Sequence, residues 1–349
     1  MESLNSLAWK KLKGNKLSFV ALCYIIICVI IGVFAAVISP DKTRYANEMH
    51  VELATQIPFT NVTFVEFPAN RIIKSTFLES ALLGFENTTE SIAIDSFRIF
   101  NNELLYFPIN SNVEKKHLGE YNIKEHTFWL GSDKFGRDFL SRLLYGIRIS
   151  LSVGFFSVMI SLLIGIILGL ISGYYGGLID DVVMWFVNVI WSIPTLLMVI
   201  AITLALGKGY WQVFFAIGLT MWVEVARIVR GQVLIIRELE YIEASRVLAY
   251  KSARILYKHI LPNVFGPIIV ISSANFAAAI LIEAGLSFLG IGIQPPMPSW
   301  GGIIRDHYYY IIMGKEFLAI IPGLAIMSLV LSFMILGNGL RDAFDVKTK

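Results

Sequence analysis

Four stretches of this chain, 17–38, 149–172, 182–207 and 317–340, contain no charged residue at all. About 18 or more such residues suffice to cross a bilayer as a helix. Inside lipid the backbone must satisfy its own polar groups, so each run is constrained to be helical. Two further runs are less clean: 209–229 carries Glu224 and Arg227 at one end, and 264–290 carries Glu283 near its far end. Six transmembrane helices follow. Composition agrees, because 56% of residues are hydrophobic and 16% charged, against roughly 25% charged in soluble domains. The net charge of +3 is too small to point to a nucleic acid partner. The run 17–38 is longer than a signal-peptide core of about 7–15 residues and lacks a small-x-small cleavage site before Pro40, so it reads as a retained helix.

Lysines and arginines in short flanks set orientation. They cluster at Lys10, Lys11, Lys13 and Lys16, in the loop from Arg230 to Lys258, and at Arg341, Lys347 and Lys349. Six spans put all three segments on one side, expected to be the cytoplasm, and put 39–148 outside. Three segments result: 1–39 with the first helix, a polar extracytoplasmic insert at 40–126, and a five-helix core at 127–349. In the insert, Ser91–Asp95 alternates with period two, Asn101-Asn102 reads as a turn, and Leu104–Phe107 follows. The pattern is a β-hairpin. The fold class is therefore an all-α integral membrane protein with a small β-containing insert between helices 1 and 2.

Chemistry-bearing motifs are absent. There is no G-x-x-x-x-G-K-[ST] phosphate loop and no H-E-x-x-H, and the five histidines show no ligand spacing. No catalytic residue, metal site or cofactor of this chain's own is expected. Cys23 and Cys28, five apart in one apolar run, read as apolar fillers. Gly165, Gly169 and Gly173 recur every four residues, a spacing that lets membrane helices approach closely. Pro194 should kink the third span, because it removes a backbone hydrogen bond.

The loop at 238–263 is the most patterned polar segment. Ile242, Ser245, Leu248 and Ala249 fall at helical spacing, with Glu243 and Arg246 beside them. Ser252 reads as the N-cap of a second short helix. Ile255, Leu256 and Ile260 form its apolar stripe, and Pro262 discourages continuation. Two short helices in an L are expected. Periodicity alone leaves open whether they lie on lipid, pack on their own bundle, connect, or dock a partner.

Glu243-Ala244-Ser245 followed by Ile260-Leu261-Pro262 resembles the EAA loop of binding-protein-dependent ATP-binding cassette importers, with Ser245 for the second alanine and Ala249 for the family glycine. Leu130-Gly131-Ser132-Asp133 with Gly136-Arg137-Asp138 resembles the LGTDxxGRD element of the dipeptide, oligopeptide and nickel branch. Glu283 to Gly290 with Pro295 to Gly301, and Leu340 to Asp345, resemble two further motifs of that branch, and a first span followed directly by an outside loop resembles its C-type permease. Asn188 and Asn338 stand where the family commonly has aspartate, and Trp185 where it often has arginine. The 40–126 insert is longer than that type leads one to expect.

The resemblance implies a permease subunit in a bacterial cytoplasmic membrane. It would move di- or oligopeptides, or alternatively nickel or another small solute, by alternating access. Its implied partners are a second permease, two ATPases holding ATP and magnesium, and an extracytoplasmic solute-binding protein. Glu243, Ala244, Ser245, Ala249, Ile260, Leu261 and Pro262 would form the ATPase coupling loop, with Leu261-Pro262 ending the docked helix. Gly136, Arg137 and Asp138 would belong to an outside element near the binding-protein contact; from the residues alone, Arg137-Asp138 reads as a surface ion pair. Glu283, with Ser287, would be a gate or subunit contact, or a helix-end group satisfied locally, since a carboxylate at membrane depth usually faces a partner or water. A lone secondary transporter and a membrane-anchored sensor built on the insert are the competing classes. The EAA-like loop and the scarcity of ionisable residues inside the spans argue against the first.

Overall fold

The structure is a computed structural model that describes residues 4–68, 80, 84, 85, 89–100, 103–111 and 113–344. Its helices of eight or more residues are α1 (Leu4–Gly14), α2 (Lys16–Val33), α3 (Phe139–Tyr175), α4 (Gly177–Trp191), α5 (Thr195–Leu206), α6 (Tyr210–Ile236), α7 (Glu240–Val247), α8 (Ser252–Phe288), α9 (Trp300–His307) and α10 (Phe317–Phe344). Five of them, α2, α3, α6, α8 and α10, are long and apolar enough to cross a membrane, and the bent pair α4–α5 would make a sixth. The third expected span is thus not one helix. Its halves meet at 91°. Pro194 begins α5 with φ −54° and ψ 123°. It offers no N–H to the turn before it and pushes Ile193 out of helical geometry, so the kink expected at this proline is a full break.

The described chain forms two compact units. One comprises 1–27, 150–294 and 325–349, the other 28–149 and 295–324. In the first, α6 is the most enclosed helix, with Val225, Val229 and Val233 all at zero exposure. These valines repeat every four residues, as do Gly165, Gly169 and Gly173 of α3. A Cβ on those glycines would come within 2.5, 2.8 and 2.7 Å of the Cβ atoms of Val225, Val229 and Val233 in turn. One ridge of branched side chains therefore fills a groove that only hydrogen can leave open. Val187 of α4 packs on Trp222, Val223 and Ala226 of α6. Arg230 of α6 clasps Asp180 of α4 with two bonds of 2.5 and 2.6 Å.

In the second unit, strands β1 (Thr60–Pro68), β2 (Thr89–Phe100), β3 (Glu103–Pro108), β4 (Lys115–His117) and β5 (Asn122–Phe128) form one antiparallel sheet in the order β4-β3-β2-β1-β5. β2 and β3 pair as the alternating pattern predicts, with Phe100 opposite Glu103. The turn expected at Asn101-Asn102 lies outside the described residues, as do Asp345, Lys347 and Lys349. Each face of the sheet carries a buried cluster. Val62, Phe64, Ala93 and Phe128 bury one side, and Val65, Ile94, Leu104 and Tyr106 the other.

Candidate functional site

The loop at 238–263 is anchored to its own bundle. Ile242 of α7 and Ile255 and Ile260 of α8 join Ile236, Val264 and Ile268 in one buried cluster. Full burial of such a side chain is worth about 1.5–3 kcal/mol, so α7 is fixed to α6 and α8. Ser245 is also turned inward, 6% exposed, and its Oγ donates to the Tyr241 carbonyl at 2.8 Å. Asn263 donates to the Tyr241 hydroxyl at 3.3 Å, a further tie between α7 and α8. The outward face carries Glu243, Ala244, Val247 and Leu248, with Val247 86% and Leu248 65% exposed.

Two features of this loop differ from the sequence-based expectation. The second helix is not short and does not stop at Pro262. It runs from Ser252 to Phe288 without interruption. A π-helical turn over Leu256–Ile260 precedes the proline, and the Leu261 N–H donates to the Leu256 carbonyl, five residues back. The widened turn accommodates a residue that has no N–H and whose ring crowds the preceding turn. The N-cap is Lys251, with ψ 138° and no side-chain bond, and Ser252 is already helical.

Ala249 has φ +55°. Its N–H bonds the Arg246 carbonyl, and the Tyr250 N–H bonds that of Ser245. The chain therefore leaves α7 through a left-handed residue, a position that suits glycine and costs an alanine roughly 1–2 kcal/mol. A glycine here would escape that cost.

At the far end of α8, Glu283 is fully buried. It accepts from Ser287 Oγ at 2.8 Å and from Ser150 Oγ at 3.5 Å. Ser287 Oγ in turn accepts the Ile293 N–H at 3.1 Å. A Cβ on Gly292 would lie 2.5 Å from the Ser287 nitrogen, so the chain folds back tightly over the carboxylate. The arrangement supplies local partners for a costly buried acid. Ser150 and Gly292 complete this cluster, and no spacing in the sequence links them to it.

In the second unit, Gly136 has φ +72°, and a Cβ there would fall 1.7 Å from the His50 carbonyl. Arg137 and Asp138 are each 3% exposed and are not a surface pair. Arg137 bonds Asp133 instead, at 2.6 Å from Nε, and donates to Asn47 Oδ1 at 2.9 Å. Asp138 accepts the Ser141 N–H at 2.7 Å, one of the free donors at the start of α3. Neighbours on a turn point apart, whereas residues four apart can meet. The Asp133/Arg137 spacing was the available signal. Trp300 is fully enclosed in this unit, its Nε1 donating to the Leu143 carbonyl at 3.0 Å.

Membrane-length helices and a loop anchored to its own bundle describe a polytopic membrane protein. Residues 165–348 match the family of binding-protein-dependent transport system inner membrane components, and residues 3–54 match the N-terminal transmembrane domain of oligopeptide transport permease C. The chain belongs to the first of these families, whose members are membrane permease components of transport systems. It is 42% identical over 221 residues to the glutathione transport system permease protein GsiD of Pectobacterium atrosepticum, covering 63% of this chain and 73% of that one. It is 41% identical over 239 residues to the dipeptide transport system permease protein DppC of Bacillus subtilis, covering 68% and 75%. It is 40% identical over 230 residues to the oligopeptide transport system permease protein OppC of the same organism, covering 65% and 73%.

Proposed function

We propose that this chain is one permease subunit of an ATP-binding cassette importer that carries short peptides across the cytoplasmic membrane of a bacterium. Both termini and the α7 loop face the cytoplasm, in line with the basic flanks of the spans. A second, related permease completes the pathway. Two separate ATPase chains hold ATP and magnesium, and an extracytoplasmic solute-binding protein delivers cargo. The peptide cargo is supported by the names of relatives about 40% identical to this chain.

The observation that carries the coupling reading is the two-sided character of α7. Its inner face is held by Ile242 and Ser245, while Glu243, Ala244, Val247 and Leu248 are left exposed. An exposed apolar pair beside a carboxylate fits a groove on a partner better than it fits water. Docking there would move α7, and α8 would transmit the motion as a continuous helix beginning at Ser252. In this reading Ala249 sets the angle between α7 and α8, and Ile260, Leu261 and Pro262 form the π-turn joint. Glu283 and Ser287 brace the other end of α8 as a gate element. Gly136, Arg137 and Asp138 shape a rigid extracytoplasmic element near the binding-protein contact.

The test is Glu243→Lys, with Val247→Asp beside it, in the assembled transporter. Both should cut ATPase co-purification and peptide uptake at least tenfold. Unchanged co-purification together with unchanged uptake would remove the coupling assignment.

A further inference from the structure

The second unit contains a cavity of about 550 Å³ between the sheet and the segment that follows α2. That is within the range of about 300–1,000 Å³ typical of small-molecule sites. Its walls come from 40–50 and from 64–138, whereas the two family matches cover 3–54 and 165–348. The matches thus include the 40–50 wall, with Asp41 and Glu48, but not the sheet that closes the other side.

The lining is built and chemically divided. Asp41 and Glu48 form an acidic wall. Asp41 is 8% exposed, and its carboxylate accepts the Thr43 N–H at 2.8 Å and the Glu48 N–H at 3.4 Å. Burial pushes the Asp41 carboxyl above the usual carboxylate range, despite the bonds from Thr43, and the Glu48 charge adds to the rise. Ser91 Oγ donates to Glu48. Aromatic surface lies alongside. His50 leans against Phe64 and His126 meets Phe128 edge-on, each with ring centroids 4.7 Å apart. The ring nitrogens are engaged with carboxylates: His50 with Glu48 and Glu52 at 3.6 Å, and His126 with Asp138 at 3.4 Å. Lys42 and Lys124 also line the cavity, with Lys124 largely exposed and 3.3 Å from Glu66.

This division narrows the occupant. Carboxylates outnumber lysines in the lining, so a simple anion is disfavoured. Two carboxylates set beside aromatic rings suit an organic cation. An ammonium can add charge-assisted hydrogen bonds to both carboxylates, beside those they already accept, and lie against the aromatic rings. The lysines offer a counter-charge for a carboxylate on the same molecule. We propose that the cavity binds a short peptide through its free α-ammonium group, at Asp41 and Glu48, with its carboxylate toward Lys42 and Lys124. The choice of peptide rests on the proposed cargo, while the ammonium requirement rests on the cavity alone.

The experiment uses the full chain in lipid nanodiscs, without ATPases or binding protein, and equilibrium dialysis against labelled dialanine and N-acetyl-dialanine. Dialanine should bind, and acetylation should weaken binding about tenfold or more, since it removes the charge. Glu48→Gln should lower dialanine affinity to a similar degree. Thr89→Trp, which fills the cavity from its edge at the start of β2, should abolish binding with an unchanged melting temperature. Equal affinity for the two peptides, or dialanine binding unaltered by both variants, would overturn the proposal. Uptake by the assembled transporter is measured in parallel. Peptide uptake without binding to the isolated chain refutes the cavity site but leaves the transport reading intact. Variant-sensitive binding without peptide uptake does the reverse.

Discussion

Arg137 reaches back four residues to Asp133, and its Nε and Nη2 each lie 2.6 Å from the same carboxylate oxygen. The two side chains are 4% and 1% exposed. The carboxylate also accepts the N–H groups of Phe135 and Arg137, at 2.8 and 3.0 Å. The pair thus closes the turn that Gly136 makes beneath His50, and it is a structural element of the second unit.

Removing one partner should be costly. Asp133→Ala leaves a buried guanidinium without its carboxylate, and breaking such pairs typically costs about 3–5 kcal/mol. Arg137→Lys keeps the charge but loses the two-pronged contact, so its loss should be smaller. Chemical denaturation of the purified chain in detergent measures both. Two variants as stable as the parent would show that the pair contributes nothing.

The glycine ridge of α3 can be tested against a glycine that faces open space. A Cβ at Gly169 would meet the Ala226 carbonyl at 2.7 Å, whereas one at Gly231 meets nothing within 4 Å. Gly169→Ala should therefore destabilise the chain by about 1–3 kcal/mol through overpacking. Gly231→Ala should be neutral, or stabilising by up to about 1 kcal/mol through helix propensity. Unfolding by increasing detergent fraction reads the difference, and equal effects would contradict the ridge-in-groove contact.

Relief of the left-handed Ala249 gives a prediction of opposite sign. Ala249→Gly should stabilise the chain by roughly 1 kcal/mol, because glycine adopts φ +55° without a Cβ clash. Ala249→Val should destabilise it and, in the assembled transporter, reduce uptake by disturbing the angle between α7 and α8. The melting temperature and uptake of the two variants should move in opposite directions.

His307 gives the second unit a pH dependence. Its Nδ1–H donates to the Ile303 carbonyl at 2.7 Å, and its Nε2 accepts the Lys134 N–H at 3.2 Å. Only the neutral ring can do both. Burial lowers its pKa below 6.5. With the folded value depressed, this contribution is complete above the unfolded pKa of about 6.5 and is lost as pH falls through the folded value. Between pH 8 and pH 5 the parent should lose more stability than His307→Gln, which keeps a donor and an acceptor but does not titrate. Parallel melting curves for the two across that range would contradict this.

Much of the architecture is legible in local patterns. The uncharged runs mark α2, α3, the α4–α5 pair and α10, the less clean apolar runs mark α6 and α8, the alternation at Ser91–Asp95 marks β2, and the four-residue glycine spacing marks the contact face of α3. The inward set of α7 is only half legible. Ile242 and Ser245 share the buried side, but Leu248, at the same helical spacing, is exposed because α7 ends at Val247 and the chain turns through Ala249. The partner of Arg137 was misassigned because adjacency in sequence is not adjacency of side chains. The cavity had no signal, since its walls come from residues up to about a hundred positions apart.

By itself the sequence determined that this chain has several apolar runs long enough to cross a membrane and a short amphipathic helix in its 238–263 loop. Both follow from near-neighbour physics: apolar runs must close their own hydrogen bonds in lipid, and a helix repeats every 3.6 residues. Only the tertiary structure decided that the third span breaks by 91° at Pro194, that α8 continues through Pro262 on a π-turn, that Glu283 is enclosed by Ser150 and Ser287, and that Asp41 and Glu48 face one cavity. Each depends on which distant segments pack together, and that packing sets whether a proline bends or ends a helix and which polar groups must satisfy one another.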